Sequence, residues 1–163
     1  RFGLPEGARI GAFLIFGRPT TTLGGRAFNT LLRLGAGATR KLPVERIFFR
    51  DSFENPATPS PLISPLIEAA RHAPSAVNAQ PWRFLWHGGR LYLFVTRDNR
   101  RYGTGVQQRY RLYDGGICMA NIALALEALG MEGRWVMLSG TERDIPEHPA
   151  NLQPLATLNM RGD

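Results

Sequence analysis

Hydrophobic and polar residues follow one another along the chain in short blocks, and each block predicts one element. Ile10–Phe16 is an apolar run closed by a glycine and a proline, and its length favours a buried strand. Arg26–Leu34 carries apolar residues at near-helical spacing and ends at Gly35, so it predicts a short helix. A stretch of small residues then leads to a second apolar cluster at Val44–Phe49.

Four prolines between positions 56 and 65 interrupt the next segment, which we therefore predict to be an extended or looping connection. Ser64 and Pro65 then predict the start of a helix, with Ser64 as the N-cap and Pro65 at the first helical position. This helix is expected to end before Pro74.

The middle of the chain contains two runs rich in aromatic and β-branched residues. Trp82–Trp86 and Leu91–Val95 lie on either side of Gly88-Gly89, which suits a two-residue hairpin turn. The following segment, Arg97–Arg111, is polar and basic and contains two glycines, so it predicts an exposed and partly mobile connection.

The segment from Asp114 to Gly130 is apolar on nearly every face, which is typical of a buried central helix, with Asp114 as its cap. Arg134–Leu138 and Leu155–Met160 predict two further strands around a polar loop. Strands and helices are thus mixed, and several neighbouring strands are expected to be antiparallel. The predicted fold is α+β, with a mostly antiparallel sheet around a central hydrophobic helix.

The composition supports a folded chain and raises the question of an anionic partner. Of 163 residues, 44% are hydrophobic and 20% are charged, which argues against intrinsic disorder. The excess of 20 basic over 13 acidic residues gives a net charge of +7. A nucleic acid, a membrane surface or a phosphate-bearing cofactor would each suit such a charge.

Other classes are disfavoured by what the sequence lacks. The single cysteine, Cys118, excludes an intrachain disulfide and a cysteine-based metal cluster, and the three histidines lack the spacing of a zinc motif. There is no apolar run of eighteen residues and no signal-peptide pattern, so we expect a cytoplasmic location without membrane partners. Because the sequence begins at Arg1 rather than at Met, we expect a fragment or a processed product.

The segment between the first predicted hairpin and the helix before it is the richest in candidate chemistry. After Pro74, a short turn offers the hydroxyl of Ser75 and the amides of Asn78 and Gln80. A planar heterocycle with alternating donors and acceptors could use such groups. The same side chains could instead simply cap a connection between a helix and a strand, and composition leaves both interpretations open.

This segment resembles the nitroreductase family of flavoenzymes, whose motif APSxxNxQPWxF matches Ala73–Phe84. A second block is similar to the central helix of that family; its matching positions are Asp114, Gly116, Asn121 and Leu124–Trp135. Ile10–Pro19 resembles the late strand of the family, which ends in a Gly-Tyr-Pro-like turn. The resemblance implies a nitroreductase-like fold.

The order of these blocks is unusual, because the late strand precedes the motif. This order resembles a subgroup of nitroreductases in which two nitroreductase-like halves stand in tandem on one chain. Residues 1–37 would then be the tail of a first half and residues 38–163 a second half, together forming one compact domain. A natural permutation is the alternative, and the start at Arg1 favours truncation.

The resemblance implies FMN as the cofactor and electron transfer from NAD(P)H to a nitroaromatic, quinone or similar acceptor. It implies that Pro74 shapes the cofactor-binding turn, that Ser75 and Asn78 contact the flavin ring or ribityl chain, and that Gln80, with Trp82, braces the turn. Because the flavin carries the chemistry, no catalytic acid, base or nucleophile of the chain is expected.

Arg40 and Lys41 stand where the family has an Arg-Ser-x-Arg segment that binds phosphate, although the Ser and the second Arg of that pattern are absent. A guanidinium and an ammonium would still suit the FMN phosphate, and a solvated basic pair is the alternative. We expect Asp114 to be a helix cap rather than a base and Asn121 to bridge backbone rather than touch cofactor. Cys118 is expected to be a small core residue.

The resemblance also bears on partners, because FMN in this family lies between two halves. We therefore expect a homodimer, or pairing with a missing first half. A non-catalytic relative, with or without flavin, that serves in storage, sensing or structure is the main alternative. Nucleic-acid binding ranks third. The five arginines and three tyrosines between positions 97 and 113 suit single strands, but 19 of the 20 basic residues are Arg, which indicates a compositional bias.

Overall fold

A computed structural model describes residues 40–140 and 144–160, all of which belong to one compact unit, Arg33–Asp163. The predicted strand at Ile10–Phe16, the predicted helix at Arg26–Leu34 and the proposed tail at 1–37 lie outside the described residues. The division into two nitroreductase-like halves therefore stays a prediction.

The described residues form a six-stranded sheet in the order β2-β1-β3-β4-β6-β5. Its strands are β1 (Phe48–Arg50), β2 (Ser52–Pro56), β3 (Trp82–His87), β4 (Arg90–Thr96), β5 (Gly133–Met137) and β6 (Leu152–Met160). Strands β1 and β3 are parallel and every other neighbouring pair is antiparallel. Two α-helices, α1 (Ser64–His72) and α2 (Tyr110–Ala128), join the sheet, and the α+β prediction with a mostly antiparallel sheet is confirmed.

The hairpin of β3 and β4 shows how local sequence fixes register. Gly88 and Gly89 have φ angles of 57° and 75°, the left-handed conformation that a two-residue hairpin turn requires. The turn sets His87 opposite Arg90 and Trp82 opposite Val95. The predicted hairpin is therefore confirmed.

Alternation along these strands divides the core between the two faces of the sheet. Phe84, Leu93 and Val95 pack on the face that α1 and α2 cover. Leu85 and Phe94 point to the other face, into a smaller cluster against which Phe53 and Ile145 pack. The main core thus lies between the sheet and the two helices.

The start of α1 differs from the prediction by one residue. Ile63 is the N-cap, Ser64 is the first helical residue and its hydroxyl makes no capping bond. The amides of Ile63 and Ser64 both donate to the carbonyl of Ser60, so a tight turn leads straight into the helix. The predicted N-cap at Ser64 is therefore wrong, whereas the predicted stop before Pro74 is confirmed by the end at His72.

Helix α2 begins at Tyr110, four residues before the predicted start, and ends at Ala128. The segment before it contains two short 3-10 turns, Arg100–Tyr102 and Gly105–Arg109, and Tyr102 is buried. The prediction of an exposed connection over Arg97–Arg111 is thus correct for most of its side chains but misses this buried anchor. No described helix has the length and apolar character needed to cross a membrane.

Burial of α2 on every face, as predicted, is also wrong. Cys118, Ile122 and Leu126 face the core, whereas Ile117 and Leu124, on the opposite side, are 39% and 64% exposed. The sheet and α1 cover only one side of this helix. Among the described residues, α2 therefore presents a second apolar stripe to solvent, and this exposed stripe includes Tyr113.

Candidate functional site

The segment Ser75–Gln80, here called the strained turn, connects α1 to β3 and holds an unfavourable backbone conformation. Val77, Asn78 and Gln80 have φ angles of 47°, 51° and 46°. Asparagine adopts this left-handed region readily, but a β-branched valine there is an outlier that costs about 1–3 kcal/mol. Such a conformation persists only where surrounding contacts hold it, and it is a feature of functional sites.

One set of contacts comes from Arg40–Leu42. The Nδ2 of Asn78 and the Nε2 of Gln80 both donate to the carbonyl of Arg40, at 2.9 and 3.0 Å. The amide of Leu42 donates to the Oε1 of Gln80 at 2.9 Å. Since Asn78 and Gln80 are 7% and 4% exposed, these bonds replace lost hydration and fix both side chains. Gln80 thus braces the turn against this segment.

Lys41 and Ser75 satisfy further backbone groups at the same place. The Nζ of Lys41 donates to the carbonyl of Ala73 at 2.8 Å, at the C-terminal end of α1. Partial burial, together with the charge of Arg71, lowers the pKa of Lys41. The Oγ of Ser75 accepts from the amide of Gln80 at 3.0 Å and so closes the strained turn on itself. The six predicted site residues therefore lie within one local cluster, with Arg40 and Pro74 exposed at its rim.

A second set of contacts comes from Asp114, a buried residue that is hydrogen-bonded to the buried side chain of Tyr102. The carboxylate oxygens of Asp114 accept from the amide of Ala76 at 3.0 and 3.1 Å, and the hydroxyl of Tyr102 donates to Oδ2 at 2.7 Å. Asp114 and Tyr102 are 3% and 6% exposed. Burial raises the pKa of Asp114, and these two hydrogen bonds partly offset that rise. Burial, and then the bond to Asp114, raise the pKa of Tyr102.

This geometry corrects the predicted role of Asp114. It lies within α2, in the second turn, and does not cap that helix. It instead accepts from the first amide of the 3-10 turn Ala76–Asn78, at a sequence separation of 38 residues. The early start of α2 places the carboxylate beside the strained turn.

Three further side chains donate to carbonyls of the strained turn. The Nη1 of Arg101 lies 3.1 Å from the carbonyl of Asn78 and 3.3 Å from that of Val77. The Nδ2 of Asn99 donates to the carbonyl of Ala79 at 3.2 Å, and the Nη1 of Arg83 donates to that of Gln80 at 3.1 Å. Sequence reasoning missed these donors and Tyr102, because each partner is distant along the chain or follows the turn without a recognisable spacing.

The basic segment is less free than its composition indicates. Arg101 is engaged with the strained turn, Arg97 donates to the carbonyl of Leu152 at 3.1 Å, and Arg111 donates to the side chain of Gln153 at 3.2 Å. Three of its five arginines therefore support the fold, which weakens the interpretation of this segment as a nucleic-acid surface.

Two predictions about α2 are confirmed. The Nδ2 of Asn121 donates to the carbonyl of Ala69 at 3.1 Å, so it ties α2 to the backbone of α1. Cys118 is fully buried in the core, and burial raises the pKa of its thiol. Within the described part of the chain, no three histidine, cysteine or acidic side chains come together as a metal site.

Comparison with known proteins places this cluster in a family context. Residues 49–91, which include the strained turn, match the family model described as the nitroreductase family. A candidate nitroreductase from Desulfovibrio desulfuricans, solved in complex with FMN, is 20% identical, with a TM-score of 0.50 over 78% of this chain and 83% of that one. No curated protein matches the sequence.

Two other solved structures are similar over most of their length. A candidate NADH oxidase from Clostridium acetobutylicum is 17% identical, with a TM-score of 0.48 over 72% of this chain and 84% of that one. A nitroreductase family protein from Clostridium difficile 630 is 15% identical, with a TM-score of 0.44 over 77% and 81%. The family match over residues 49–91 and the fold shared with the Desulfovibrio protein confirm the nitroreductase-like α+β fold.

Proposed function

We propose that the protein is a flavin-dependent oxidoreductase that binds FMN and passes electrons from NAD(P)H to a nitroaromatic, quinone or similar acceptor. The observation that carries this proposal is the strained turn, which lies within the region that matches the family. Residues distant in sequence hold this turn in place through hydrogen bonds. The family match supports oxidoreductase activity in general. The relative solved with FMN favours this flavin over others.

The groups around the strained turn fit FMN chemically. The hydroxyl hydrogen of Ser75 has no acceptor among the described residues, although its oxygen accepts from Gln80. Lys41 gives one N–H to Ala73 and retains two more, and Arg40 is exposed beside it. Ser75 and Asn78 would hold the ring or ribityl chain, and Arg40 and Lys41 would hold the phosphate.

The chain and the cofactor would divide the work. FMN, when bound, supplies the hydride and electron transfer. The chain would orient it through the strained turn, which Pro74 shapes and Gln80 braces. Basic side chains donate to four carbonyls between Ala73 and Gln80, so they provide a positive environment at the turn. No acid or base of the chain is assigned a proton-transfer role.

Pairing of two halves is part of this proposal. The exposed stripe of α2 carries Tyr113, Ile117 and Leu124 at 61%, 39% and 64% exposure, an apolar surface that a second copy could cover. We propose a homodimer, or pairing with a first half, as the form that completes the flavin site, and the cytoplasm as its location. Light scattering at equal FMN loading tests the pairing, and a monomer with one FMN per chain would contradict it.

The first test is titration of the purified protein with FMN, followed by flavin fluorescence, and then NAD(P)H oxidation with a nitroaromatic or a quinone. The variant Ser75→Ala with Asn78→Ala should weaken FMN binding by about 1–3 kcal/mol, because hydrogen bonds are lost at the turn. That cost corresponds to a roughly 5- to 150-fold higher Kd.

The strand β2 offers a matched control for this double variant. Ser52 Oγ accepts from a backbone amide and Asn55 Nδ2 donates to a backbone carbonyl, with the same spacing of three residues. Ser52→Ala with Asn55→Ala should leave FMN affinity unchanged. Absence of FMN binding by the unaltered protein would overturn the oxidoreductase proposal. Binding without NAD(P)H oxidation would instead support the non-catalytic relative.

A further inference from the structure

The conformation of Val77 needs an external cause. A β-branched side chain at a φ of 47° is unfavourable, and the side chain itself is 50% exposed, so its own packing does little to hold it there. The turn would relax to a more ordinary backbone if nothing opposed it. The restraint therefore has to be found in the groups that bond to its backbone.

Two of those groups belong to residues that follow β4 in the chain, and they bond to the backbone before and after Val77. Asp114 accepts the amide of Ala76, the residue before Val77, and Arg101 donates to the carbonyls of Val77 and Asn78. Tyr102, the neighbour of Arg101, donates to the same carboxylate. The acidic side chain thus holds the peptide between Ser75 and Ala76, one residue before the strained position, and the basic side chain holds the two peptides that follow Val77 and Asn78.

We propose that Asp114 is the positioning residue of the flavin site, with Arg101 as its second anchor: they hold the strained turn in the conformation that FMN requires. This inference rests on the proposed function. Both oxygens of Asp114 are engaged with Ala76, one also with Tyr102, and the residue is 3% exposed. It therefore acts through the turn and not by contact with the flavin.

A pair of substitutions separates the carboxylate's bonds from its bulk. Asp114→Asn keeps an oxygen that can accept from both Ala76 and Tyr102, whereas Asp114→Leu has a similar volume and accepts from neither. We expect the Kd for FMN to rise about 10- to 100-fold in Asp114→Leu, the range expected when hydrogen bonds to a buried carboxylate are lost, and by less than about 5-fold in Asp114→Asn.

The decisive variant is Val77→Gly in the Asp114→Leu background. Glycine adopts a positive φ without steric cost, so the turn no longer needs the restraint. Val77→Gly should therefore recover most of the lost FMN affinity, a non-additivity that a general loss of stability would not produce. The control is Val106→Gly, because Val106 is 74% exposed and has no positive φ; it should recover nothing.

Equal Kd values for the unaltered protein and for Asp114→Leu would overturn the inference, as would additive effects of Val77→Gly and Asp114→Leu. If Asp114→Leu fails to fold, the same cycle is run with Arg101→Met, because Arg101 is exposed and its loss should be tolerated. That variant should weaken FMN binding several-fold and should be rescued by Val77→Gly.

Hydrogen exchange of the flavin-free protein distinguishes the two proposals. If the unaltered protein binds no FMN, the proposed function fails, and exchange at the Ala76 amide still decides the positioning role. Faster exchange at Ala76 in Asp114→Leu, with an unchanged rate in the β3–β4 hairpin, supports the role. An unchanged rate at Ala76 contradicts it, since that amide donates to the carboxylate.

Discussion

The hydroxyl of Tyr102 is the most informative single group to remove. Tyr102→Phe removes the hydroxyl that donates to the buried carboxylate of Asp114 at 2.7 Å and leaves the ring in place. Asp114 would keep only the amide of Ala76 as a donor among the bonds described. The carboxylate would remain buried, so it could not recover the lost bond from bulk water.

The expected cost follows from the charge of the acceptor and from burial. A hydrogen bond to a charged group contributes about 1.5–3 kcal/mol, and both partners here are less than a tenth exposed. Tyr92 is the matched control, because it is 5% exposed and its hydroxyl makes only a long bond of 3.4 Å to the carbonyl of Asp144. Tyr92→Phe should cost about 0.5–1 kcal/mol or less.

Acidification should reduce the difference in the free energy of unfolding between Tyr102→Phe and Tyr92→Phe. The pKa of Asp114 is raised in the folded protein, and removal of the Tyr102 hydroxyl, which lowers that pKa, would raise it further. A carboxyl whose pKa is raised on folding contributes stability that is fully present below its unfolded pKa and is lost as pH rises through the folded pKa. Tyr102→Phe should therefore be most damaging near neutral pH and less damaging toward pH 4.

Urea denaturation, followed by tryptophan fluorescence at several pH values, measures both effects. A free energy of unfolding for Tyr102→Phe that equals that of Tyr92→Phe near neutral pH would refute the argument from the charged acceptor. A gap that widens on acidification would refute the sign assigned to Asp114.

Two further predictions concern α2. A Cβ at Gly115 would lie 2.5 Å from Leu155 Cδ2 and 3.1 Å from Val95 Cγ1, whereas a Cβ at Gly116 would meet open space. In urea denaturation, the free energy of unfolding of Gly115→Ala should therefore be lower than that of Gly116→Ala by about 1–3 kcal/mol. Equal free energies would contradict the close packing at Gly115. Cys118 is fully buried with a raised thiol pKa, so a thiol-specific reagent should modify it only after denaturant is added, and rapid modification of the folded protein would place it outside the core.

Elements set by local patterns could be predicted, because their causes lie within a few residues. The hairpin follows from Gly88-Gly89 between two strand-forming runs, and the end of α1 follows from Pro74. The exposed stripe and the buried stripe of α2 could not be distinguished from the sequence. Ile117 and Ile122 are equally apolar in the sequence, and only the packed sheet and α1 decide which of them is covered.

The candidate site likewise has a part that follows from local sequence and a part that depends on long-range packing. The motif brings Ser75, Asn78 and Gln80 into one turn because they are close in sequence, but their partners are long-range. The sequence predicts a cap at Asp114, because an acidic residue before an apolar helix usually is one. Its partnership with Ala76 depends on where α2 begins and how that helix packs on the sheet, which no local pattern contains.

This long-range dependence has a consequence for the proposed flavin site. The unfavourable φ of Val77 is offset by bonds from Asp114 and Arg101, which are available only after α2 has packed beside β4. The strained turn is therefore a property of the completed fold and not of its own sequence. It follows that a change which displaces Asp114 from the Ala76 amide should weaken FMN binding even at a distance from the flavin, because it removes the restraint and leaves the strain.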